Sequence, residues 1–96
     1  MVDKPNLLQS FRDMRQADAI RRYAEATHVN PAREAGIATV TIVSGPVGKA
    51  MGLENRMPAV CGALGTRKFR QECRLELMSR TGPGQGTTET FTFKLL

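Results

Sequence analysis

Residues 47–64 read VGKAMGLENRMPAVCGAL. This stretch decides the fold, because its two halves have helical composition and its centre does not. A short helix reaches Gly52, where a glycine suits the positive φ with which a chain leaves a helix. After Leu53 and the turn LENR, a second helix starts near Arg56, with Pro58 early in it, and extends over about 56–68. Met57, Val60, Cys61, Leu64 and Phe69 form its apolar stripe. The expectation is therefore two short helices joined by a turn.

Immediately upstream, residues 38–43, ATVTIV, form the clearest strand in the chain. β-Branched residues dominate, and Val40 and Ile42 alternate with Thr39 and Thr41. The junction SGPVGKA, residues 44–50, superficially suggests a phosphate loop. Such a loop places four residues between its first glycine and its Gly-Lys pair and follows the lysine with Ser or Thr as a magnesium ligand. Here only two residues separate Gly45 from Gly48, Pro46 lacks an amide hydrogen, and Ala50 replaces the hydroxyl residue. The better reading is a helix start, with Ser44 or Gly45 as the cap and Pro46 in the first turn. No nucleotide is expected there.

Further out on the N-terminal side, Asn6 caps a helix with Leu7, Leu8, Phe11 and Met14 on one side. QADAIRRYAEAT, residues 16–27, continues with Ala17, Ile20 and Ala24 at helical spacing. Arg12, Arg15, Arg21 and Arg22 then face outward. One bent helix or two fit equally, and either ends before Asn30 and Pro31, since a residue preceding proline avoids helical angles. PAREAG adds one turn closed by Gly36. On the C-terminal side the period changes to two. Cys73, Leu75 and Leu77 share one strand face, and Phe91, Phe93 and Leu95 share another. The two strands form a hairpin whose loop, TGPGQGT, is polar and flexible.

Composition bounds what such a chain can do. Ninety-six residues make one small domain. With 41% hydrophobic and 24% charged residues, the chain is globular rather than disordered. Fourteen Lys and Arg against nine Asp and Glu give a net charge of +5. Most of the excess lies from Gly45 onward, where eight basic residues meet four acidic ones. A basic half points to a polyanionic partner. Cys61, Cys73 and His28 cannot assemble a four-ligand zinc site, and both thiols are expected to be packing residues. With one histidine and no spaced carboxylate pair, acid-base or nucleophilic machinery is not visible, so the chain reads as no enzyme and needs no cofactor or metal. No apolar run approaches the roughly 18 residues that cross a bilayer, and the N-terminus lacks a signal-peptide plan, which predicts a cytoplasmic protein with no membrane partner.

The order helix, strand, helix, turn, helix, strand, glycine-rich loop, strand resembles the winged-helix form of the helix-turn-helix. The resemblance rests on element order and patterning. It implies an α+β fold, with residues 1–15 as an N-terminal helical extension and residues 16–96 as the winged-helix domain. It also implies binding to double-stranded DNA, with the second helix in the major groove and the hairpin as a wing. Arg56, Ala59, Ala63, Arg67 and Lys68 would then occupy the outer face of that helix, with Arg56 able to reach a guanine edge. The wing, with Arg80, Gln85 and the backbone amides of its glycines, would lie against phosphate or the minor groove, and Lys49 near the first helix suits a phosphate contact. The alternative function for the same fold is a protein partner or a homodimer docked on Ala59, Gly62 and Ala63, where small residues let another backbone approach.

Overall fold

A computed structural model describes residues 16–96, so the extension over 1–15, with the expected Asn6 cap and its stripe of Leu7, Leu8, Phe11 and Met14, lies outside the described residues, as do Arg12 and Arg15. The domain is a small α+β fold in which helices cover one face of a three-stranded antiparallel sheet.

Helical backbone runs over 16–24 (α1), loosens into a π-helical turn over Glu25–Val29, and tightens again over Asn30–Glu34 (α2). The sequence reading stopped the first helix before Asn30 and Pro31. Instead, the Asn30 amide donates to Glu25 O, five residues back, and Asn30 keeps helical angles of φ −62° and ψ −44°. The widened turn restarts the hydrogen-bond ladder, so Pro31 sits in the first turn of α2, where its missing amide hydrogen costs nothing. Ile20, Ala24, Val29 and Ala32 are buried along this path, which ends at Gly36 as expected. Arg21 does not face outward. It is buried, with its Nη2 2.5 Å from Asp18 Oδ1, because the carboxylate one turn earlier neutralises it on the covered side of α1.

Strand β1 (Thr39–Val43) buries Val40 and Ile42 and exposes Thr39 and Thr41, the alternation its composition predicts. It pairs antiparallel with β3 (Thr90–Leu95), which pairs on its other side with β2 (Leu75–Thr81), giving the order β1-β3-β2. The inward face carries Leu75, Phe91 and Phe93. Phe93 meets Phe69 edge-on at 5.5 Å and lies parallel to Phe91 at 6.2 Å. Burying each ring contributes roughly 2 to 3 kcal/mol. On the solvent face the hydroxyls of Thr41 and Thr92 lie 3.4 Å apart.

The helices between the strands depart from expectation in two respects. Helix α3 (Ser44–Met51) ends at Gly52, in the left-handed conformation at φ +70°, as predicted. Ser44 does not cap it, however; its hydroxyl donates to Gly86 O at 2.6 Å. Helix α4 (Met57–Leu64) is only eight residues long, and a separate α5 (Arg67–Cys73) follows. Thr66 causes the break. Its Oγ1 accepts from the Phe69 amide at 3.2 Å while donating to Ala63 O at 2.8 Å, which starts a new helix one residue after Gly65. Arg67 and Lys68 therefore belong to α5.

Cys73 ends α5 rather than opening a strand. The chain turns at Arg74, whose φ of +52° and ψ of +64° are left-handed, and β2 begins at Leu75. A bulge between Leu77 and Ser79 leaves Met78 without a partner on β3 and exposed, and the period-two pattern fades beyond it. Among the described residues no helix is long and apolar enough to cross a membrane, and no group of three His, Cys, Asp or Glu is placed to hold a metal.

Candidate nucleic-acid interface

The segment SGPVGKA is α3 itself, and its first amides are already engaged. Ser44 N donates to Glu89 O and Gly45 N to Thr87 O, both at 2.9 Å, so the loop between β2 and β3 occupies the position a phosphate would need. A Cβ on Gly45 would stand 2.5 Å from Thr87 O, which explains why this position carries glycine. Cys61 of α4 adds a weak contact from Sγ to Gly86 O at 3.7 Å. The loop is thus tied to both α3 and α4, which gives it more fixed backbone than its glycine content suggests.

Arg80 and Glu89 lock the base of the same loop. Arg80 Nε donates to the Glu89 carboxylate, which is 2% exposed, and Arg80 Nη2 donates to Gly84 O at 2.8 Å. Its guanidinium also lies 4.7 Å above the centre of the Phe91 ring. Glu89 accepts in addition from the Gly84 amide at 2.6 Å. Arg80, together with that amide, holds the Glu89 carboxyl below its ordinary range. The side chain expected to meet phosphate or the minor groove therefore already has three partners, Glu89 and Gly84 in the loop and the Phe91 ring of β3. Gln85, at the loop tip, is exposed.

Lys49 is exposed in the last turn of α3, and Arg56 is exposed at the N-cap of α4. Between Pro58 and Leu64, α4 carries no charge; Pro58 and Gly62 are exposed and Ala59 is half-buried. Ala63 was expected on this outer face but is buried at 3% exposure, because helical phase groups it with Val60 and Leu64 on the core side.

Helix α5 gathers more charge than the sequence reading gave it. Arg67, Arg70, Gln71 and Arg74 line one cleft with Leu75 and Leu96, about 570 Å³ in volume. Arg70 Nη1 donates to Gly65 O at 3.2 Å. Among the described residues no carboxylate pairs with Arg67, Arg70 or Arg74. Lys68 differs, reaching Asp18 at 3.4 Å and Glu72 at 3.9 Å. Asp18 is held below its ordinary range, first by its hydrogen bond from Arg21 and then by that from Lys68. From α2, Arg33 braces the C-terminal end of α5. Its Nη2 donates to Cys73 O at 2.5 Å and Arg74 O at 3.1 Å, and its Nη1 donates to Leu96 O at 2.9 Å.

Arg70 and Arg74 were missed as site residues. Arg67, Arg70 and Arg74 follow one another at intervals of three and then four residues, which is a helical stripe, but assigning Cys73 to a strand places Arg74 on a sheet face instead. No protein-family model matches this chain, and no curated protein or solved structure matches it either.

Proposed function

We propose that this domain is a winged-helix module that binds double-stranded DNA and carries no enzymatic activity. The observation that carries this reading is the strand order β1-β3-β2 together with the attachment of the glycine-rich loop to α3 and α4 through Ser44, Gly45 and Cys61. In this reading the loop is the wing, and its attachments hold it beside the helical pair that would enter the groove. Lys49, Arg56 and Gln85 are exposed on these elements, and Arg67 and Lys68 are exposed on α5. In this reading Arg80 positions the wing backbone instead of contacting phosphate. Base contact falls mainly on Arg56, because α4 beyond it offers only small apolar groups.

Four exposed cations in contact with phosphate would give strongly salt-dependent binding, with a logarithmic slope of roughly −0.9 for each phosphate neutralised. Titration of a 20-base-pair duplex at low and at moderate salt tests the reading. The expected result is an affinity loss of orders of magnitude on raising salt. Absence of binding at low salt removes the proposal.

The uncharged outer surface of α4 favours a second reading, a homodimer or protein contact. A Cβ on Gly62 would meet nothing within 4 Å, so a neighbouring backbone has room to approach. Sedimentation of the free protein distinguishes the two readings, since an apolar self-contact persists at high salt.

A further inference from the structure

We propose that the cleft between α5 and the start of β2 binds a phosphate monoester. Three arginines, Arg67, Arg70 and Arg74, line one concave space with Gln71 beside them, and Arg70 also donates from Nη1 to Gly65 O at 3.2 Å. A phosphodiester in a duplex carries one charge, whereas a monoester carries roughly 1.5 to 2 negative charges at neutral pH and three acceptor oxygens. A group of arginines on one face, each able to donate in a bidentate fork, matches the second better. Leu75 and Leu96 provide an apolar wall suited to the carbon skeleton attached to the phosphate. The nearest acid on α5, Glu72, is paired with Lys68.

The backbone supplies an independent reason. Arg74 is the non-glycine residue with positive φ among the described residues, at a helix end where glycine or asparagine would sit with less strain. It is held there from both sides, by Arg33 Nη2 on its carbonyl at 3.1 Å and by the Leu96 amide on the same oxygen at 3.0 Å. Strain that the surroundings over-determine concentrates at binding sites, and here it keeps a third guanidinium at the cleft. None of the lining residues comes from SGPVGKA, and the inference does not depend on the duplex-binding reading.

A monoester has two sources, the 5′-terminal phosphate of a nucleic-acid strand or a phosphorylated small molecule. The 96-residue chain is titrated with one oligonucleotide carrying a 5′-phosphate or a 5′-hydroxyl, and with inorganic phosphate and AMP as competitors. Either of two results supports the site: about tenfold tighter binding of the phosphorylated strand, or saturable AMP binding that inorganic phosphate displaces. The first points to a strand end and the second to a small molecule. Arg67→Ala and Arg74→Gly are expected to abolish the effect. Arg74→Gly is the decisive variant, because glycine accepts this backbone and the protein is expected to melt at or above the parent temperature. Equal affinity for both strands with no AMP binding overturns the proposal, as does an unchanged preference in Arg74→Gly. If a duplex binds with salt dependence while strand phosphorylation has no effect and AMP does not bind, the cleft proposal falls and the duplex reading stands. The reverse pattern, AMP binding with no duplex binding, separates them the other way.

Discussion

Arg80 and Glu89 are bound across the neck of the β2–β3 loop, with the buried Glu89 carboxylate accepting from Arg80 Nε while the guanidinium covers the Phe91 ring. A carboxylate at 2% exposure needs its partners, so the pair couples loop geometry to the charge on one side chain.

Protonating Glu89 is expected to loosen the loop. Its carboxyl titrates below the ordinary range, chiefly because Arg80 binds it, so its contribution is present at neutral pH. That contribution is lost as pH falls through the lowered value. Melting curves between neutral and acidic pH are expected to show this loss in the parent and a smaller one in Glu89→Gln. Arg80→Ala is expected to destabilise at neutral pH more than it does in acid, since it strands the carboxylate. Equal acid sensitivity in parent and Glu89→Gln contradicts the assignment.

Phe91→Ala is expected to cost about 3 to 5 kcal/mol, a large share of what holds a small domain together. The ring is fully buried, lies parallel to Phe93 and has the Arg80 guanidinium 4.7 Å from its centre. Denaturant titration measures the loss, and a variant that unfolds like the parent is incompatible with this packing.

Lys49→Ala is expected to change stability by less than about 0.5 kcal/mol, because the side chain is exposed in the last turn of α3. Magnesium-ATP is expected to leave the melting temperature unchanged through this segment, whose leading amides already donate to Thr87 and Glu89. An increase that disappears in Lys49→Ala argues for a phosphate site on α3.

The Cys73 thiol is pushed up to about 11, first by burial and then by the neighbouring Glu25 and Glu72. A raised thiol value favours the neutral form in the folded state, so stability is expected to fall as pH rises from the ordinary value of 9.0 towards 11. Near pH 8 a thiol-specific reagent is expected to react only as fast as the protein opens. Rapid labelling of Cys73→Ser, which reports Cys61 alone, would show instead that burial of Cys61 is incomplete.

On duplex DNA, replacing Arg67 and Lys68 with Ala is expected to weaken every sequence alike and to flatten the salt slope by about two phosphate contacts. Arg56→Ala is expected to cost about 1 to 3 kcal/mol on a preferred site alone. Comparing a preferred with a scrambled duplex separates the two effects. Identical losses on both for Arg56→Ala remove its role in base reading.

Local pattern made much of this fold legible. Val40 with Ile42 and Phe91 with Phe93 announce their strands by period, and Gly52 announces a helix end by the conformation it alone adopts cheaply. The parts that escaped depend on distant partners. The left-handed turn at Arg74 is held by Arg33, 41 residues away, and no residue near Arg74 signals it. Arg80 looked free because Glu89, nine positions on, gives no sign that it is buried. The break at Thr66 was readable, since Gly-Thr before Arg-Lys-Phe is a stop followed by a cap, but the apolar stripe from Met57 to Phe69 masked it. The arginine cleft was hidden for the same reason, as its stripe appears only when α5 is a helix of its own.

The central position of β3 also sets the timing of assembly. β1 and β2 share no hydrogen bonds, and each finds its partner only in β3, so Val43 waits for Thr90 and Thr39 for Lys94, about fifty residues later in the chain. A ribosome would release β1 several seconds before the strand that completes it, at roughly 5 to 20 residues per second. During that interval β1 has no strand to pair with, and eight-residue helices such as α3 and α4 are marginal before they have a sheet to pack on. Thr39 and Thr41 give β1 a polar solvent face, and its sheet pairing on the β3 side is completed only when β3 arrives.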